Sequence, residues 1–161
     1  MRWFMVLSAM LALAAFGAVA GDEAPWFDME NCEMCSPLMN DPELLPNVAW
    51  EHYNIANGIV TVTTVMDEHR ASWDKVVAKM DAVAKKMEAG EPVKLCGMCM
   101  AMDDLYKRGA KWEQVETRYG SVSLMTSDKP EMVAEIQAWA KRTNDEMAKM
   151  EAAEDVDSPN E

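Results

Sequence analysis

The sequence predicts an α+β protein built from two tandem copies of a βαββα unit. Two Cys-x-x-Cys motifs, at Cys32 and Cys35 and at Cys96 and Cys99, stand at matching places in the chain. Each motif is followed by alternating β-forming residues around a glycine, a pattern typical of a hairpin. A long amphipathic stretch then closes each copy, as expected for a helix. We therefore expect antiparallel sheets with helices on one face.

The repeat is visible as a shared order of residues. The matched pairs are Cys32 and Cys96, Cys35 and Cys99, Trp50 and Trp112, and Gly58 and Gly120. In both copies the glycine follows the tryptophan at the same distance. Any one match could arise by chance, but matches in a conserved order favour an internal duplication.

Each copy is expected to begin with a short apolar strand, at Trp26–Met29 and at Pro92–Leu95. A short helix should follow each motif. Pro37 and Pro42 interrupt the first of these helices, because proline lacks the amide hydrogen that a helix interior needs. The second should run from about Cys99 to Arg108 and end at Gly109.

The hairpins come next in each copy. Asn57-Gly58 is a strong turn signal between alternating segments at residues 50–55 and 59–65. Tyr119-Gly120 marks the second turn more weakly. Apolar residues at spacings of three and four then predict two long helices. These residues are Trp73, Val76, Val77, Met80, Val83, Ala84 and Met87 in the first, and Met132, Ile136, Trp139, Ala140, Thr143 and Met147 in the second.

Residues 1–20 are predicted to be a signal peptide. Arg2 precedes an apolar run from Trp3 to Val19, and Ala18-Val19-Ala20 provides the small residues that signal peptidase requires. We expect cleavage after Ala20 and export to a periplasm or the cell exterior. The domain boundaries predicted for the rest are residues 21–90 for the first repeat, 91–150 for the second, and 151–161 for a disordered acidic tail.

The charge balance excludes some partners. The chain has a formal net charge of −13. Nucleic acids and anionic membrane surfaces both require a basic face. The sequence therefore predicts no nucleic-acid partner, and no membrane association after signal cleavage. The partners expected are a metal ion and a metal-donor or redox protein.

The four cysteines allow three interpretations. An exported chain with an even cysteine count is typical of disulfides, although a bond within Cys-x-x-Cys closes too small a loop to stabilise much. A Cys-Gly-Met-Cys that opens a helix could exchange disulfides with a partner. The preferred interpretation is a metal site formed by Cys32, Cys35, Cys96 and Cys99. Four thiolates suit tetrahedral zinc, and two separate pairs suit copper(I).

Methionines near the motifs favour a soft metal, since a thioether is a soft ligand. Met34 and Met98 are the matched inner residues of the two motifs and the strongest candidates. Met is also a common core residue, which is the competing interpretation. His52 and His69 are expected to be ordinary sheet and surface residues. We find no catalytic constellation, so the chain is predicted not to be an enzyme; if it is one, thiol-disulfide oxidoreductase is the expected class.

The order of Cys-x-x-Cys, helix, hairpin and helix resembles the heavy-metal-associated domain of copper and zinc chaperones. That resemblance implies a ferredoxin-like fold for each repeat and a soft metal bound through both cysteines of each loop. It would make Cys32 with Cys35, and Cys96 with Cys99, the ligand pairs. The cofactor implied is Cu(I) or Zn(II). If the two loops face each other, one shared zinc-type site is expected; if they lie apart, two copper(I) sites are expected.

Overall fold

The computed structural model describes residues 24–157. The predicted signal peptide and its cleavage site lie outside the described residues. Four strands and three α-helices follow one another along the chain. They are β1 (Val48–Ile55), β2 (Gly58–Val65), α1 (Arg70–Glu88), α2 (Gly97–Lys107), β3 (Lys111–Thr117), β4 (Gly120–Thr126) and α3 (Pro130–Asp157). Short 3-10 helices occupy Ser36–Asn40, Leu45–Asn47 and Asp67–His69. The predicted α+β class is confirmed.

All four strands form one antiparallel sheet in the order β1-β2-β4-β3. The two hairpins join through β2 and β4, where Gly58 lies opposite Thr126 and Thr64 lies opposite Gly120. Each pair places the first glycine of one strand opposite a threonine near the end of the other strand, so an approximate twofold axis relates the two hairpins. The axis passes through the pair Thr61 and Ser123 at the centre of the β2–β4 ladder.

The structure does not confirm a tandem ferredoxin-like unit, because the first strand expected in each copy is not formed. Neither Trp26–Met29 nor Pro92–Leu95 is a strand. The first segment instead supports α2, since the Gly97 N–H donates to the Pro25 carbonyl at 2.9 Å and the Met98 N–H donates to the Trp26 carbonyl at 3.0 Å. Those carbonyls face a helix start and cannot extend the sheet.

Both hairpins are confirmed, with a correction at the first turn. The residues between β1 and β2 are Ala56 and Asn57, and Gly58 already belongs to β2. Gly58 and Gly120 have φ of +154° and +140°. A Cβ on Gly58 would lie 1.9 Å from the Met125 carbonyl oxygen, and one on Gly120 would lie 2.0 Å from that of Thr63. These two glycines therefore permit the close approach of β2 and β4.

The helices cover one face of the sheet in two clusters. In the first cluster Ile59 and Met125 pack against Leu105 of α2 and Ile136 of α3, together with Trp26, Met132, Trp139 and Ala140. In the second, Val48 and Val65 pack against Trp73 and Val76 of α1, together with Leu38 and Leu44. The predicted stripes of both long helices are thus buried in part. On α1 the buried members are Trp73, Val76 and Val83, on α3 all but Met147 are buried, and the remaining members are half-buried. The hydrophobic effect of this burial stabilises the two-layer arrangement.

The helices differ from the predicted bounds at two ends. α2 begins at Gly97, two residues before the predicted start, and α3 continues to Asp157, into the segment predicted as a tail. The predicted boundary near residue 90 falls between α1 and α2. None of the helices within residues 24–157 has the length and apolar character needed to cross a membrane.

Candidate metal centre

All four predicted ligands meet at one place. The Sγ atoms of Cys32, Cys35, Cys96 and Cys99 lie within 4.8 Å of one another. None of the four residues is more than 4% exposed, and all four thiols are free of disulfides. Within the described part of the chain, no other group of three or more Cys, His, Asp or Glu residues lies close enough to hold a metal ion. The two loops therefore face each other.

The start of α2 positions the second motif. Cys96 is the N-cap residue of α2 and Cys99 lies in its first turn. The unpaired N–H groups and dipole at a helix N-terminus favour negative charge, including that of a thiolate. The Cys96 carbonyl accepts a hydrogen bond from the Met100 N–H at 2.9 Å, which closes this turn.

The first motif uses a tighter turn. The Cys32 carbonyl accepts hydrogen bonds from the N–H groups of Cys35, at 3.1 Å, and Ser36, at 2.8 Å. Cys35 then caps the 3-10 helix Ser36–Asn40, which has a proline in its first turn. The two Cys-x-x-Cys motifs therefore present their thiols from different local structures.

Cys35 makes the short contacts between the motifs. Its Sγ lies 3.5 Å from Cys99 Sγ and 4.0 Å from Cys96 Sγ. In a tetrahedral zinc site with Zn–S bonds of about 2.3 Å, neighbouring sulfurs would lie about 3.8 Å apart. The cluster thus has the size of a site for one ion.

The thiols interact strongly with one another. The pKa of Cys32 is lowered to about 6, first by the hydrogen bond with Cys35, and the pKa of Cys96 is lowered, first by the hydrogen bond with Cys32. The pKa values of Cys35 and Cys99 are raised, in both cases first by the hydrogen bond with Cys32. Among these interacting thiols, the first cysteine of each motif therefore loses its proton more readily than the second.

Glu33 joins the two motifs through the backbone. Its N–H donates to the Lys94 carbonyl at 2.9 Å, and its Oε1 accepts from the Lys94 N–H at 3.0 Å. Lys86 Nζ lies 3.5 Å from Glu33 Oε2. The hydrogen bond from Lys94, followed by the contact with Lys86, lowers the pKa of Glu33, so this side chain is an anion at neutral pH.

Two further residues hold the start of α2. The indole Nε1 of Trp139 donates to the Met98 carbonyl at 3.2 Å. A Cβ on Gly97 would lie 2.9 Å from the Ala24 carbonyl oxygen, so a side chain there would crowd the supporting segment. Sequence reasoning missed the roles of Glu33, Gly97 and Trp139. Only Gly97 carried a local signal, because a glycine stands directly before the predicted helix.

Methionines surround the thiols. Met29, Met34 and Met98 pack against the cysteine cluster, together with Leu95. The matched inner residues Met34 and Met98 are therefore both next to the site, as the sequence indicated. Met100 is 43% exposed, and Met102 packs in the first hydrophobic cluster.

His52 is a half-buried residue of β1 on the face of the sheet that packs against α3. Its Nδ1 lies 2.8 Å from Thr61 Oγ1, and its ring meets Trp139 edge-on with 5.4 Å between centroids. Burial lowers its pKa to about 4. The ring is thus neutral at physiological pH and engaged within the sheet, in agreement with the predicted structural role.

Comparisons with known proteins identify no relatives. This chain matches no protein-family model, no curated protein and no solved structure. The thiol cluster itself must therefore carry any functional conclusion.

Proposed function

We propose that this chain is an exported protein that binds one soft metal ion, zinc or copper(I), through Cys32, Cys35, Cys96 and Cys99. The observation that carries the proposal is the convergence of four buried Sγ atoms within 4.8 Å of one another. Thiolate groups are the preferred protein ligands of soft and borderline metals. Buried cysteines can also serve as small apolar core residues, but packing alone does not require four of them to place their sulfurs together.

Zinc is the ion that the arrangement favours first. The sulfur separations of 3.5 and 4.0 Å bracket the value of about 3.8 Å expected for tetrahedral Zn–S bonds. Copper(I) is the second candidate, because the thioethers of Met34 and Met98 adjoin the cluster and suit this softer ion. Both ions would occupy one shared site.

A bound ion would connect the two repeats. Each repeat supplies one cysteine pair, and the twofold register of β2 and β4 brings matched residues together. We infer that the two halves arose by duplication and that the metal links their loops. The resemblance to the heavy-metal-associated family remains a prediction on which this proposal does not depend.

Burial argues against the redox alternative. Disulfide exchange requires a thiolate that a partner's disulfide can reach. No cysteine of the cluster is more than 4% exposed, so exchange would require the site to open. A purely structural disulfide pairing is also less favoured, because it would leave no reason for all four sulfurs to converge.

The proposal is tested by counting metal and thiols in the mature protein purified from an exported source without reductant. We expect one zinc or copper per chain and four thiols recoverable after chelation. The double variant Cys32→Ser, Cys96→Ser should lose the metal. Met100→Leu is the matched control, because Met100 neighbours Cys99 but is 43% exposed, and it should keep full stoichiometry.

Two outcomes would contradict the metal assignment: an unchanged metal content in the double cysteine variant, or a wild-type protein that has free thiols and takes up neither ion. Export is tested separately by N-terminal sequencing of the exported chain. The sequence should begin at Gly21, and an uncut N-terminus would refute the predicted cleavage.

A further inference from the structure

Glu33 makes a two-way connection between the motifs. It lies between Cys32 and Cys35, and it both donates to and accepts from the backbone of Lys94, two residues before Cys96, at 2.9 and 3.0 Å. Its second carboxylate oxygen contacts Lys86, near the end of α1, at 3.5 Å. One residue therefore ties the first motif to the segment that leads into the second, through one backbone bond and, from its side chain, the bond to the Lys94 N–H and the contact with Lys86.

These bonds do not involve a thiol. They can hold the loops together with or without an ion between the sulfurs. The two hydrophobic clusters that support the sheet and helices also contain none of the four cysteines. The fold thus has its own core, and the loops have their own connection.

We propose that Glu33 is a positioning residue for the metal site, which keeps the two cysteine pairs in register in the metal-free protein. This inference rests on the proposed metal-binding function and adds how the ligands are held in place before the ion binds. Because the ligands are held before the ion arrives, metal loads and leaves without folding or unfolding of the chain. That property distinguishes an exchangeable site from structural zinc sites in which binding and folding are one event.

The second motif cannot supply the same connection. The residue that corresponds to Glu33 is Gly97, where a Cβ would lie 2.9 Å from the Ala24 oxygen and 3.1 Å from the Pro25 oxygen. That side is held instead by the bonds from the Gly97 and Met98 N–H groups to the segment at residues 25 and 26, and by the bond from the Trp139 indole to the Met98 carbonyl. The side-chain connection therefore depends on Glu33.

The test measures zinc affinity by competition with a chromophoric chelator. Glu33→Ala should weaken zinc binding about 10- to 100-fold, the usual effect of removing a partner that orients metal ligands. Glu33→Leu, of similar bulk but without an acceptor, should behave like Glu33→Ala and serves if the alanine variant folds poorly. Glu33→Gln keeps an oxygen for the Lys94 N–H and should bind zinc within a few-fold of wild type.

Lys86→Met is the matched control, because it removes only the outer ion pair and should also leave affinity nearly unchanged. The metal-free forms should all melt at similar temperatures, which separates positioning from a general loss of stability. Cobalt(II) provides a second readout, since its thiolate absorption should keep the tetrahedral signature in each variant while the binding curve shifts.

The inference is overturned if Glu33→Ala and Glu33→Leu bind zinc as tightly as wild type, or if Glu33→Gln is as weak as they are. It is also overturned if the metal-free wild type is unfolded. A wild-type chain that binds no metal at all would instead reject the proposed function, so the two failures are distinguishable.

Discussion

The thiol of Cys32 and the imidazole of His52 both have a lowered pKa, but for different physical reasons. The pKa of Cys32 falls to about 6 because neighbouring thiols donate hydrogen bonds to its thiolate, led by Cys35. The pKa of His52 falls to about 4 because burial disfavours the imidazolium. In the first case a partner stabilises the charged form, and in the second no acidic partner compensates for desolvation.

His52 should therefore make stability depend on pH. Its pKa is about 4 in the folded protein against 6.5 for an unperturbed imidazole, so between these values the unfolded chain binds more protons. The free energy of unfolding should be greatest above pH 6.5 and should fall by about 2–3 kcal/mol as the pH drops to 4. Urea unfolding of the metal-free, reduced protein at several pH values measures this change.

His52→Gln is the control for this prediction, because an amide does not titrate, and because Gln114 lies opposite Ser123 in the second hairpin as His52 lies opposite Thr61 in the first. The variant should lose the part of the pH dependence that lies between pH 6.5 and 4. If the free energy of unfolding falls equally in wild type and variant over this range, other groups cause the pH dependence and His52 does not.

The two hairpins depend on glycine for their contact with each other. β2 and β4 pair along seven residues, from Gly58 opposite Thr126 to Thr64 opposite Gly120. At each end of this ladder a glycine lies against the backbone of the other hairpin, and its positive φ is one that other residues rarely adopt. The sheet is continuous because neither glycine has a side chain.

Gly58→Ala and Gly120→Ala should each destabilise the protein strongly. Each methyl group would lie 2.0 Å or less from a carbonyl oxygen, so β2 and β4 must separate locally, at a cost of about 3 kcal/mol or more from overpacking and backbone strain. Gly90→Ala is the matched control, since Gly90 also has a positive φ of +75° but no atom within 4 Å of its Cβ position.

Gly90→Ala should lower the free energy of unfolding by only about 1 kcal/mol, which is the conformational penalty of the positive φ. Thermal or urea unfolding of the three variants measures the difference. Equal losses in all three would show that backbone conformation alone, without the contact between hairpins, requires the glycines.

Local periodicity determines most of the elements that form the sheet and helices. Residues 50–55 and 59–65 alternate, and Ile136, Trp139 and Ala140 repeat at helical spacing, so the hairpin and α3 could be predicted. Trp26–Met29 is equally apolar, yet its backbone supports α2. Periodicity reports which side chains are buried, but the partner of a backbone group depends on distant segments.

Over the whole molecule, the candidate metal site lies outside the two hydrophobic clusters that hold the helices on the sheet. The first hydrophobic cluster joins α2 and α3 to the sheet, and the second joins α1 to the β1–β2 hairpin. None of the four cysteines belongs to either cluster, although Met98 packs against both the first cluster and the cysteines, and Met29 against both the second cluster and the cysteines. A bound ion would therefore add stability to a chain that is already folded.

Removal of metal by a chelator under reducing conditions should leave the secondary structure intact and lower the melting temperature. The expected loss of stability is about 2.7 kcal/mol when the free ion had been at one hundred times its dissociation constant. Circular dichroism and thermal unfolding, with and without added zinc, measure both effects. Loss of helical signal at room temperature after chelation would contradict this expectation.

The sequence by itself determined the α+β class, the hairpins, the helices and the four candidate ligands, because these follow from side-chain periodicity and residue chemistry over short stretches. Whether the two cysteine pairs share one site was left open. The tertiary structure decided that question, through the β2–β4 register, the support of α2 by the chain at Pro25 and Trp26, and the bonds between Glu33 and Lys94. Each of these contacts joins segments far apart in the chain, and a local pattern of residues does not encode which distant backbone groups will meet.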